Sequence, residues 1–446
     1  MSAGETIVAL ATPGGTGAVG LIRISGPEAG GVIGRASNRR GAFPDRRATL
    51  ATVRTADGAV LDQVLVTRFE APRSYTGEEV VEVSTHGGRL IVRRVLERLL
   101  ECGARAADPG EFTERAFLNG KLDLTQAEAV MDLISAQSDL ALRAAHEQLE
   151  GGIGRRTEAL RQELIETVAQ LEAWIDFPEE DIDPETGDAL AQRMAGVGRS
   201  IDGLLATADQ GRILREGLRT VICGRPNAGK SSLLNALLGQ DRAIVSETAG
   251  TTRDTIEEML VVEGVPLRVV DTAGLHAAGD SIEEEGIRRT LVEAARADLL
   301  LVVADATLPP GEALPEEMPE APRRITILNK ADLPEAPGWN LPDALRVSSI
   351  DGSGLDELRH RIREMADLGE ADWGEQSVAI NARHRDCLTR ARAALTAAGN
   401  SLREGDDAEI TALSLREALD FLGEVAGRVD TEEILGSIFS QFCIGK

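Results

Sequence analysis

The 446-residue sequence has few aromatic side chains and almost no lysine. Phe, Trp and Tyr together make up 3% of the residues, which argues against a protein that reads single-stranded nucleic acid chiefly by stacking bases on aromatic rings. Only four of the 48 basic residues are lysine, namely Lys121, Lys230, Lys330 and Lys446. Because arginine serves elsewhere, a position that keeps lysine is a candidate for requiring a compact ammonium group.

Cysteine pairs and long apolar runs are also missing. The four cysteines, Cys102, Cys223, Cys387 and Cys443, lie far apart, which excludes a C-x-x-C zinc site and is typical of a reducing compartment. No stretch reaches the roughly 18 uninterrupted apolar residues of a membrane span, and the first residues lack the basic and apolar regions of a signal peptide. We therefore expect a cytoplasmic protein without a membrane segment.

Positive charge is scarce overall but unevenly distributed. The formal net charge is −26, from 48 basic and 74 acidic residues, which argues against non-specific capture of nucleic acid or of an anionic membrane. Residues 1–120 hold 15 arginines against 14 acidic residues, so the remainder carries 33 basic against 60 acidic residues. The N-terminal part is thus electrostatically distinct from the rest.

Hydrophobic periodicity predicts a multidomain α/β protein. Residues 1–119 mix β-like runs at 7–11, 19–25, 63–69 and 80–83 with a helical pattern at 90–102, which indicates an α+β domain. Helical spacing fills 122–208, interrupted at 151–154 and by a polar loop that begins at Phe177, and it returns after about residue 365, as at 410–424 and 432–442. Between these stretches, strands and helices alternate around a parallel sheet. The predicted domains are 1–119, a helical part 120–216, an inserted sheet domain 217–368 and a second helical part 369–446.

A phosphate-binding loop carries the clearest chemistry. Gly224-Arg-Pro-Asn-Ala-Gly-Lys-Ser231 matches G-x-x-x-x-G-K-[ST] directly after an apolar strand and before a helical run. Glycines allow backbone N–H groups to face an anion, Lys230 can bridge the β and γ phosphates, and the Ser231 hydroxyl can reach Mg²⁺.

Further elements in chain order indicate a guanine-nucleotide switch domain. Asp271-Thr-Ala-Gly274 and Asn329-Lys-Ala-Asp332 each end a predicted strand, Thr251-Thr252 lies between the loop and the first of them, and Ser348-Ser349 follows the second. A carboxylate at Asp332 can accept both the N1–H and N2–H donors of guanine, which adenine does not present. The predicted nucleotide contacts are Asn227, Ala228, Gly229, Lys230, Ser231, Ser232, Ser246, Thr251, Thr252, Asp271, Gly274, Asn329, Lys330, Asp332, Ser348 and Ser349.

The hydrolytic residue is not evident from these motifs. Leu275 follows the Asp-Thr-Ala-Gly element, where Ras-type enzymes use glutamine to orient water, and an aliphatic side chain cannot do this. Either hydrolysis is slow, or another polar residue takes over. The acidic run 280–285 offers carboxylates, although it is equally well explained as a solvated helix start.

Together these and other motifs resemble the MnmE or TrmE family of tRNA modification GTPases over the whole chain. The resemblance is carried by Thr6-Ile-Val-Ala, Val19-Gly-Leu-Ile-Arg-Ile-Ser-Gly26, Ser74-Tyr-Thr-Gly-Glu78, His86-Gly-Gly, Pro109-Gly-Glu-Phe-Thr-Glu-Arg-Ala-Phe-Leu-Asn119, the loop 224–239, Ala249-Gly-Thr-Thr-Arg-Asp-Thr255 and Phe442-Cys-Ile-Gly-Lys446. It implies an N-terminal folate-binding-like domain that dimerises, a discontinuous helical domain and an inserted Ras-like P-loop GTPase domain.

The resemblance also implies partners and cofactors. Such proteins form homodimers and work with a flavin (FAD)-dependent protein, MnmG, to add an aminomethyl or carboxymethylaminomethyl group to C5 of the wobble uridine of certain tRNAs. The carbon comes from a 5-formyl- or methylene-tetrahydrofolate derivative, which Arg23, Glu82, Lys121 and Lys446 would hold.

The same resemblance supplies the missing hydrolytic parts. It implies that K⁺ binds beside the phosphates at Asn227, Ser246, Thr248 and Thr251, that Ser231 and Thr252 hold Mg²⁺, and that Glu283 orients the water while Lys230 supports catalysis. Cys443 is either a reactive, catalytic thiol or a small apolar residue, and no catalytic role is assigned to His86.

Two other functions compete with this one. A binding switch similar to ribosome-assembly GTPases would require a basic RNA-binding module, which is not visible in this acidic chain. A stand-alone folate-dependent one-carbon transferase, with GTP merely regulatory, would act without the flavoprotein.

Overall fold

In the computed structural model, the residues described are 4–39, 41–176, 184–239, 258–270, 293–315, 321–366, 379–404, 408–428, 432–440, 442 and 445. The chain divides into two compact units. The first, called here the N-terminal unit, comprises Met1–Met131, Ile153–Ile165 and Leu419–Lys446. The second, the central unit, comprises Asp132–Gly152 and Glu166–Ala418.

The N-terminal unit is built on a six-stranded sheet in the order β3-β4-β5-β2-β1-β6. The strands pair antiparallel except for β1 and β6, which are parallel. The strands are β1 (Ile7–Leu10), β2 (Val19–Ser25), β3 (Thr49–Arg54), β4 (Val60–Phe69), β5 (Val80–His86) and β6 (Arg105–Ala106). The helices are α1 (Ala29–Ala36), α2 (Arg89–Glu101) and α3 (Glu111–Leu118). The predicted runs at 7–11, 19–25, 63–69 and 80–83 all fall on strands, and the predicted helix at 90–102 is α2.

Side-chain alternation divides this sheet into two faces. Successive side chains of a strand point to opposite sides. The apolar side chains of β2 and β5, among them Ile22, Ile24 and Val83, join one buried core with residues of α1 and α2. Arg23 and Glu82, which are direct neighbours across the β2–β5 pairing, therefore lie on the opposite face.

A buried carboxylate ties α3 to the edge of this sheet. The side chain of Glu111 is only 3% exposed, and it accepts hydrogen bonds from Arg105 at 2.7 Å and from Arg115 at 2.8 Å. Burial alone would raise the pKa of Glu111, but the hydrogen bonds from Arg105, the Asp108 amide and Arg115 outweigh it and lower the pKa below its ordinary value of 4.5. Glu111 is therefore charged at neutral pH, where it compensates two guanidinium groups.

Five helices follow this domain, and their start points correct two sequence interpretations. They are α4 (Leu124–Ser135), α5 (Asp139–Leu149), α6 (Gly152–Asp176), α7 (Pro184–Leu205) and α8 (Ala208–Glu216). The predicted break at 151–154 is confined to its first residue, since Gly151 has a φ of +85° and α6 begins at Gly152. Gly154 lies inside α6, where a Cβ would be 2.4 Å from Asp123 Oδ2, so that a larger residue would require the Asp123 carboxylate to move.

The polar stretch at 177–188, predicted to be a loop, contains the start of a helix. Residues 177–183 lie outside the described residues, but α7 already begins at Pro184. Proline fits the first position of a helix because the amide it lacks has no intrahelical acceptor there.

The central unit contains a second six-stranded sheet in the order β12-β11-β10-β7-β9-β8. All neighbours are parallel except β8 and β9. The strands are β7 (Leu218–Cys223), β8 (Glu258–Val262), β9 (Val265–Val270), β10 (Leu299–Asp305), β11 (Arg323–Asn329) and β12 (Leu345–Val347). The helices of this unit are α9 (Lys230–Leu238), α10 (Pro310–Ala313), α11 (Leu355–Ala366) and α12 (Ala382–Glu404). Helix α13 (Ala408–Ala426) begins in the central unit and ends in the N-terminal unit, to which α14 (Glu432–Phe439) belongs.

The order of the central strands determines where a ligand can bind. Strands β8 and β9, which follow β7 in the chain, lie on one side of it, and β10, β11 and β12 lie on the other side. The strand order therefore reverses at β7. In parallel sheets of this kind, ligands bind beyond the carboxyl ends of the strands at this reversal. The loop after β7 and the residues that end β10 and β11 meet at this edge. Within the described part of the chain, no helix is both long and apolar enough to cross a membrane.

The Glu111 network yields a prediction about stability. Glu111→Gln removes the buried charge partner of Arg105 and Arg115, which keep the more exposed carboxylates of Glu5 and Glu78. We therefore expect the unfolding free energy of the N-terminal unit to fall by about 2 kcal/mol at pH 7. Because the folded pKa is lowered, the contribution of Glu111 is present above pH 4.5 and is lost as the pH falls through the folded value. The difference between wild type and variant should therefore shrink on acidification.

Hydrogen exchange of the β1 and β6 amides at pH 7 and at lower pH measures this difference. The matched control is Glu101→Gln, which removes an exposed carboxylate paired with Arg98 and should change stability by less than about 0.5 kcal/mol. Equal effects of the two substitutions would show that the buried network does not stabilise the unit.

Candidate functional site

The loop of residues 224–229 joins the carboxyl end of β7 to α9. Neither of its two glycines has room for a side chain. A Cβ on Gly224 would lie 2.1 Å from the Val303 carbonyl oxygen, and a Cβ on Gly229 would lie 2.1 Å from Asn329 Nδ2. Gly229 and Asn227 have φ values of +93° and +61°, which glycine adopts freely and asparagine tolerates. A tight loop that ends at a helix N-terminus is suited to an anion such as phosphate.

Lys230 is the first residue of α9, and its ammonium group lies over this loop. Nζ donates to the carbonyl oxygens of Gly224 at 2.9 Å and of Arg225 at 3.0 Å. Ser231 follows in the first helical turn, where its hydroxyl is a candidate ligand for Mg²⁺. Burial raises the pKa of the Cys223 thiol to about 11, against the opposing charge of Lys230. That cysteine is thus protonated at neutral pH and is not a nucleophile.

Asn329, at the end of β11, connects the loop to a second recognition element. Its side chain is buried, and Nδ2 donates to the Ala228 carbonyl oxygen at 2.9 Å. Its Oδ1 accepts from the Ser349 hydroxyl at 2.9 Å and from the Ser349 amide at 3.3 Å. One amide group therefore holds the phosphate-type loop and the 348–349 turn in a fixed relation.

Lys330 is paired with a residue that the sequence motifs did not indicate. Its Nζ lies 2.5 Å from Asp305 Oδ2, at the end of β10, and its backbone has a φ of +64°. Asp305 also accepts from the Thr307 hydroxyl and amide. Burial would raise the pKa of Asp305, but the bonds from Lys330 and Thr307 lower it overall. The only sequence signal for Asp305 is a carboxylate at the end of an apolar strand.

Asp332 and Ser348 complete this part of the site. The Ser348 hydroxyl is buried and donates to Asp332 Oδ1 at 2.7 Å. Ser348 Oγ in turn accepts from the amides of Ile350 at 3.3 Å and Asp351 at 3.2 Å. These bonds orient the Asp332 carboxylate, whose predicted role is to recognise two neighbouring N–H donors of guanine.

The structure therefore brings together the central part of the predicted nucleotide site. Six of the predicted residues lie in the loop after β7 and the start of α9: Asn227, Ala228, Gly229, Lys230, Ser231 and Ser232. Five lie at or just beyond the ends of β11 and β12: Asn329, Lys330, Asp332, Ser348 and Ser349. The remaining predicted residues lie outside the described residues: Ser246, Thr248, Thr251, Thr252, Asp271, Gly274, Glu283, Cys443 and Lys446.

In the N-terminal unit, Arg23 and Glu82 form an ion pair over an aromatic floor. The Arg23 guanidinium donates to Glu82 Oε1 from Nη2 at 2.8 Å and from Nε at 3.2 Å. Its Cζ lies 5.3 Å from the ring centre of Tyr75 and 5.9 Å from that of Phe112. Burial raises the pKa of Tyr75, and the bond to Thr113 and the charge of Arg23 oppose this effect. The rings hold the guanidinium by cation–π attraction.

Tyr75 connects Lys121 to the Arg23–Glu82 pair, because its ring lies beneath Arg23 and it lines the same cavity as Lys121. Lys121 and Tyr75 line the same cavity, and Lys121 Nζ donates to the Pro72 carbonyl oxygen at 3.2 Å. Gly445 lies at the end of β1, where a Cβ would be 2.2 Å from the Leu10 carbonyl oxygen. Gly445, which precedes Lys446, thus packs against β1. In this strand, Ala9 pairs with Arg23 of β2.

His86 has a buried partner that sequence reasoning missed. Its Nδ1 lies 2.6 Å from Asp62 Oδ1, and its amide donates to Asp62 Oδ2 at 2.9 Å. The Asp62 side chain is 6% exposed, whereas that of His86 is 69% exposed. The carboxylate fixes the orientation of an imidazole that faces solvent. Only the three-dimensional pairing reveals this contact, because 24 positions separate the two residues.

Comparison with known families accounts for nearly the whole chain. Residues 6–121 match the family described as the GTP-binding protein TrmE N-terminus. Residues 124–443 match the MnmE helical domain. The resemblance noted in the sequence and the fold class predicted from it are both confirmed.

Three relatives that match this chain over nearly their full lengths share the same name. Proteins called tRNA modification GTPase MnmE are 51% identical in Akkermansia muciniphila, 44% in Geobacter sulfurreducens and 45% in Opitutus terrae, each with 99% of both chains covered. A solved structure, the G domain of the T. maritima FeoB iron transporter, is 27% identical over 33% of this chain and 98% of its own, with a TM-score of 0.24. By its family matches and its full-length relatives, this chain belongs to the MnmE family of tRNA modification GTPases.

Proposed function

We propose that this protein is a K⁺-activated GTP hydrolase that acts, with a flavin-dependent partner, in the modification of C5 of the tRNA wobble uridine. The observation that carries the GTPase part is the Asn329 bridge, which joins a phosphate-type loop to a turn suited to guanine. The relatives named tRNA modification GTPase support the tRNA substrate. The residues 224–232, 329–332 and 348–349 would bind the nucleotide.

Each described side chain has a defined task in this proposal. Lys230 would turn from the Gly224 and Arg225 carbonyls to the β and γ phosphates, and Lys330 would lie beside the base with its ammonium held by Asp305. Asp332 would accept the two N–H donors of guanine. Ser231 and Thr252 would hold Mg²⁺, which supplies charge neutralisation at the phosphate oxygens.

Hydrolysis requires groups beyond those that bind. Asn227, Ser246, Thr248 and Thr251 are proposed to hold K⁺, which would stand where an arginine finger acts in other GTPases. Glu283 is proposed to orient the attacking water, since Leu275 cannot. The position of Asn227 within the loop, at a φ of +61°, supports its part in this set.

The N-terminal unit is proposed to hold a tetrahydrofolate derivative at Arg23, Glu82, Lys121 and Lys446, and to form the contact of a homodimer. Support comes from the Arg23–Glu82 pair, which offers fixed donors and an acceptor above aromatic rings. A pteridine ring has a matching polar edge and flat faces. Cys443 remains a candidate thiol for the chemistry.

The first prediction of the proposed function concerns Asp305. Asp305→Asn removes a buried, charge-assisted bond to Lys330, so we expect guanine-nucleotide affinity to fall about tenfold while kcat at saturating GTP changes little. Titration with a fluorescent GDP analogue measures the affinity. Glu335→Gln is the matched control, because it breaks a surface pair with Arg346. Unchanged affinity in the Asp305 variant would contradict the role given to this residue.

The second prediction concerns the monovalent cation. Replacing K⁺ by Na⁺ at constant ionic strength should lower GTP turnover by orders of magnitude, because the smaller ion does not fit the same oxygen set. Steady-state phosphate release measures turnover, and Rb⁺ should restore most of it. Equal rates in K⁺ and Na⁺ would refute the cation mechanism.

The third prediction tests the function as a whole. Deletion of the gene should abolish the C5 modification of wobble uridines, as measured by mass spectrometry of digested tRNA. Complementation with the wild-type gene should restore it, and Glu283→Ala, which spares nucleotide binding, should not. Normal modification in the deletion strain would overturn the proposed function, and modification without the flavoprotein would favour a stand-alone transferase.

A further inference from the structure

A cavity of about 530 Å³, wide open to solvent, lies at the surface of the N-terminal unit. It is lined by Arg46, Phe69, Arg73, Ser74, Tyr75 and Lys121. Its volume is in the range of about 300 to 1,000 Å³ that is common for small-molecule sites. Three of the six lining residues are cationic, two are aromatic, and none of these described residues is acidic. The lining is therefore complementary to an anion that carries flat or apolar groups.

Only one carboxylate reduces the positive charge of this lining among the described residues. Asp45 Oδ2 lies 3.6 Å from the Arg73 guanidinium and 3.9 Å from that of Arg46, so it is shared between them. Its other oxygen accepts from the Glu70 amide. For Lys121 the described contact is with a neutral carbonyl, that of Pro72. A net positive potential remains for an incoming anion.

Arg46 is held in place before any ligand arrives. Its backbone has a φ of +52°, an uncommon conformation for a residue other than glycine. Its guanidinium lies 5.5 Å from the ring centre of Phe69 and donates from Nη2 to the Arg73 carbonyl oxygen. Strained residues that their surroundings hold in one geometry are concentrated at ligand sites. A fixed guanidinium binds a carboxylate with little loss of side-chain entropy.

The cavity continues from the residues proposed for folate binding. Tyr75 lines it and also lies beneath the Arg23 guanidinium, which is paired with Glu82. A folate has a pteridine ring at one end and a glutamate at the other, and γ-linked glutamates lengthen that end by one carboxylate each. The polar pair suits the ring, and the three cations suit the carboxylates.

We propose that this cavity binds the γ-glutamyl chain of the folate, and that Arg46, Arg73 and Lys121 select polyglutamylated over monoglutamyl forms. The inference rests on the proposed folate binding and adds to it a specificity for chain length. An RNA backbone is also a polyanion, but it requires cations spread along an open surface. Here the three cations are exposed but surround one cavity that also has two aromatic rings, which favours a small ligand.

The test compares two folates on the full-length protein. Calorimetric titration with 5-formyltetrahydrofolate carrying one or five glutamates should give about tenfold tighter binding of the pentaglutamate to the wild type. In Arg46→Gln/Arg73→Gln the advantage of the pentaglutamate should fall below about threefold, because the affinity for the monoglutamate, which has fewer carboxylates for these cations, should fall less than that for the pentaglutamate. Arg47→Gln, an exposed neighbour outside the lining, is the matched control and should keep the full advantage.

Each other outcome overturns the proposal in a distinguishable way. Equal affinity of the wild type for both folates would refute chain-length selection while leaving folate binding intact. Binding of neither folate would refute the proposed folate site together with this subsite. Loss of tRNA binding in the double variant, without any change in folate preference, would assign the cavity to RNA. Thermal unfolding of each variant, measured in parallel, shows whether the fold is retained.

Discussion

The central unit depends on one side-chain amide. Asn329 is 1% exposed and bonds at the same time to the Ala228 carbonyl and to Ser349. This is possible because β7, β10 and β11 are parallel neighbours, so that the segments following them meet at one edge. Gly224 and Gly229 allow the close approach, since any side chain there would strike β10 or Asn329. The proposed binding of phosphate and the proposed recognition of a base would thereby be mechanically linked.

The N-terminal unit uses the two faces of a sheet for different purposes. Apolar side chains of β2 and β5 are buried under α1 and α2, which leaves the alternate positions free for polar chemistry. Arg23 and Glu82 occupy these positions, and Tyr75 and Phe112 support the guanidinium from below. The cavity beside Tyr75 extends the same surface with three cationic side chains. Folate binding and selection of its anionic end would thus share one aromatic floor.

Much of the fold could be predicted from the sequence because its strands are strongly apolar and its glycines stand at turns. The apolar strand predicted before the loop 224–231 is β7, and the helical run predicted after this loop is α9. The errors have local causes. Gly154 reads as a helix breaker, but it lies inside α6, where an added side chain would have to displace the Asp123 carboxylate. Pro184 reads as part of a loop, yet proline is well tolerated where a helix begins.

The sequence by itself determined which chemical groups are available: the loop 224–231, the elements that end β11 and follow β12, and the lysines kept in an arginine-rich chain. These are local patterns, in which spacing along the chain defines the geometry. Only the tertiary structure decided their partners. Asp305 meets Lys330, Asp62 meets His86, and Arg46 joins Lys121 around one cavity, across 25, 24 and 75 positions. Such contacts depend on strand order and packing, which one-dimensional periodicity does not encode.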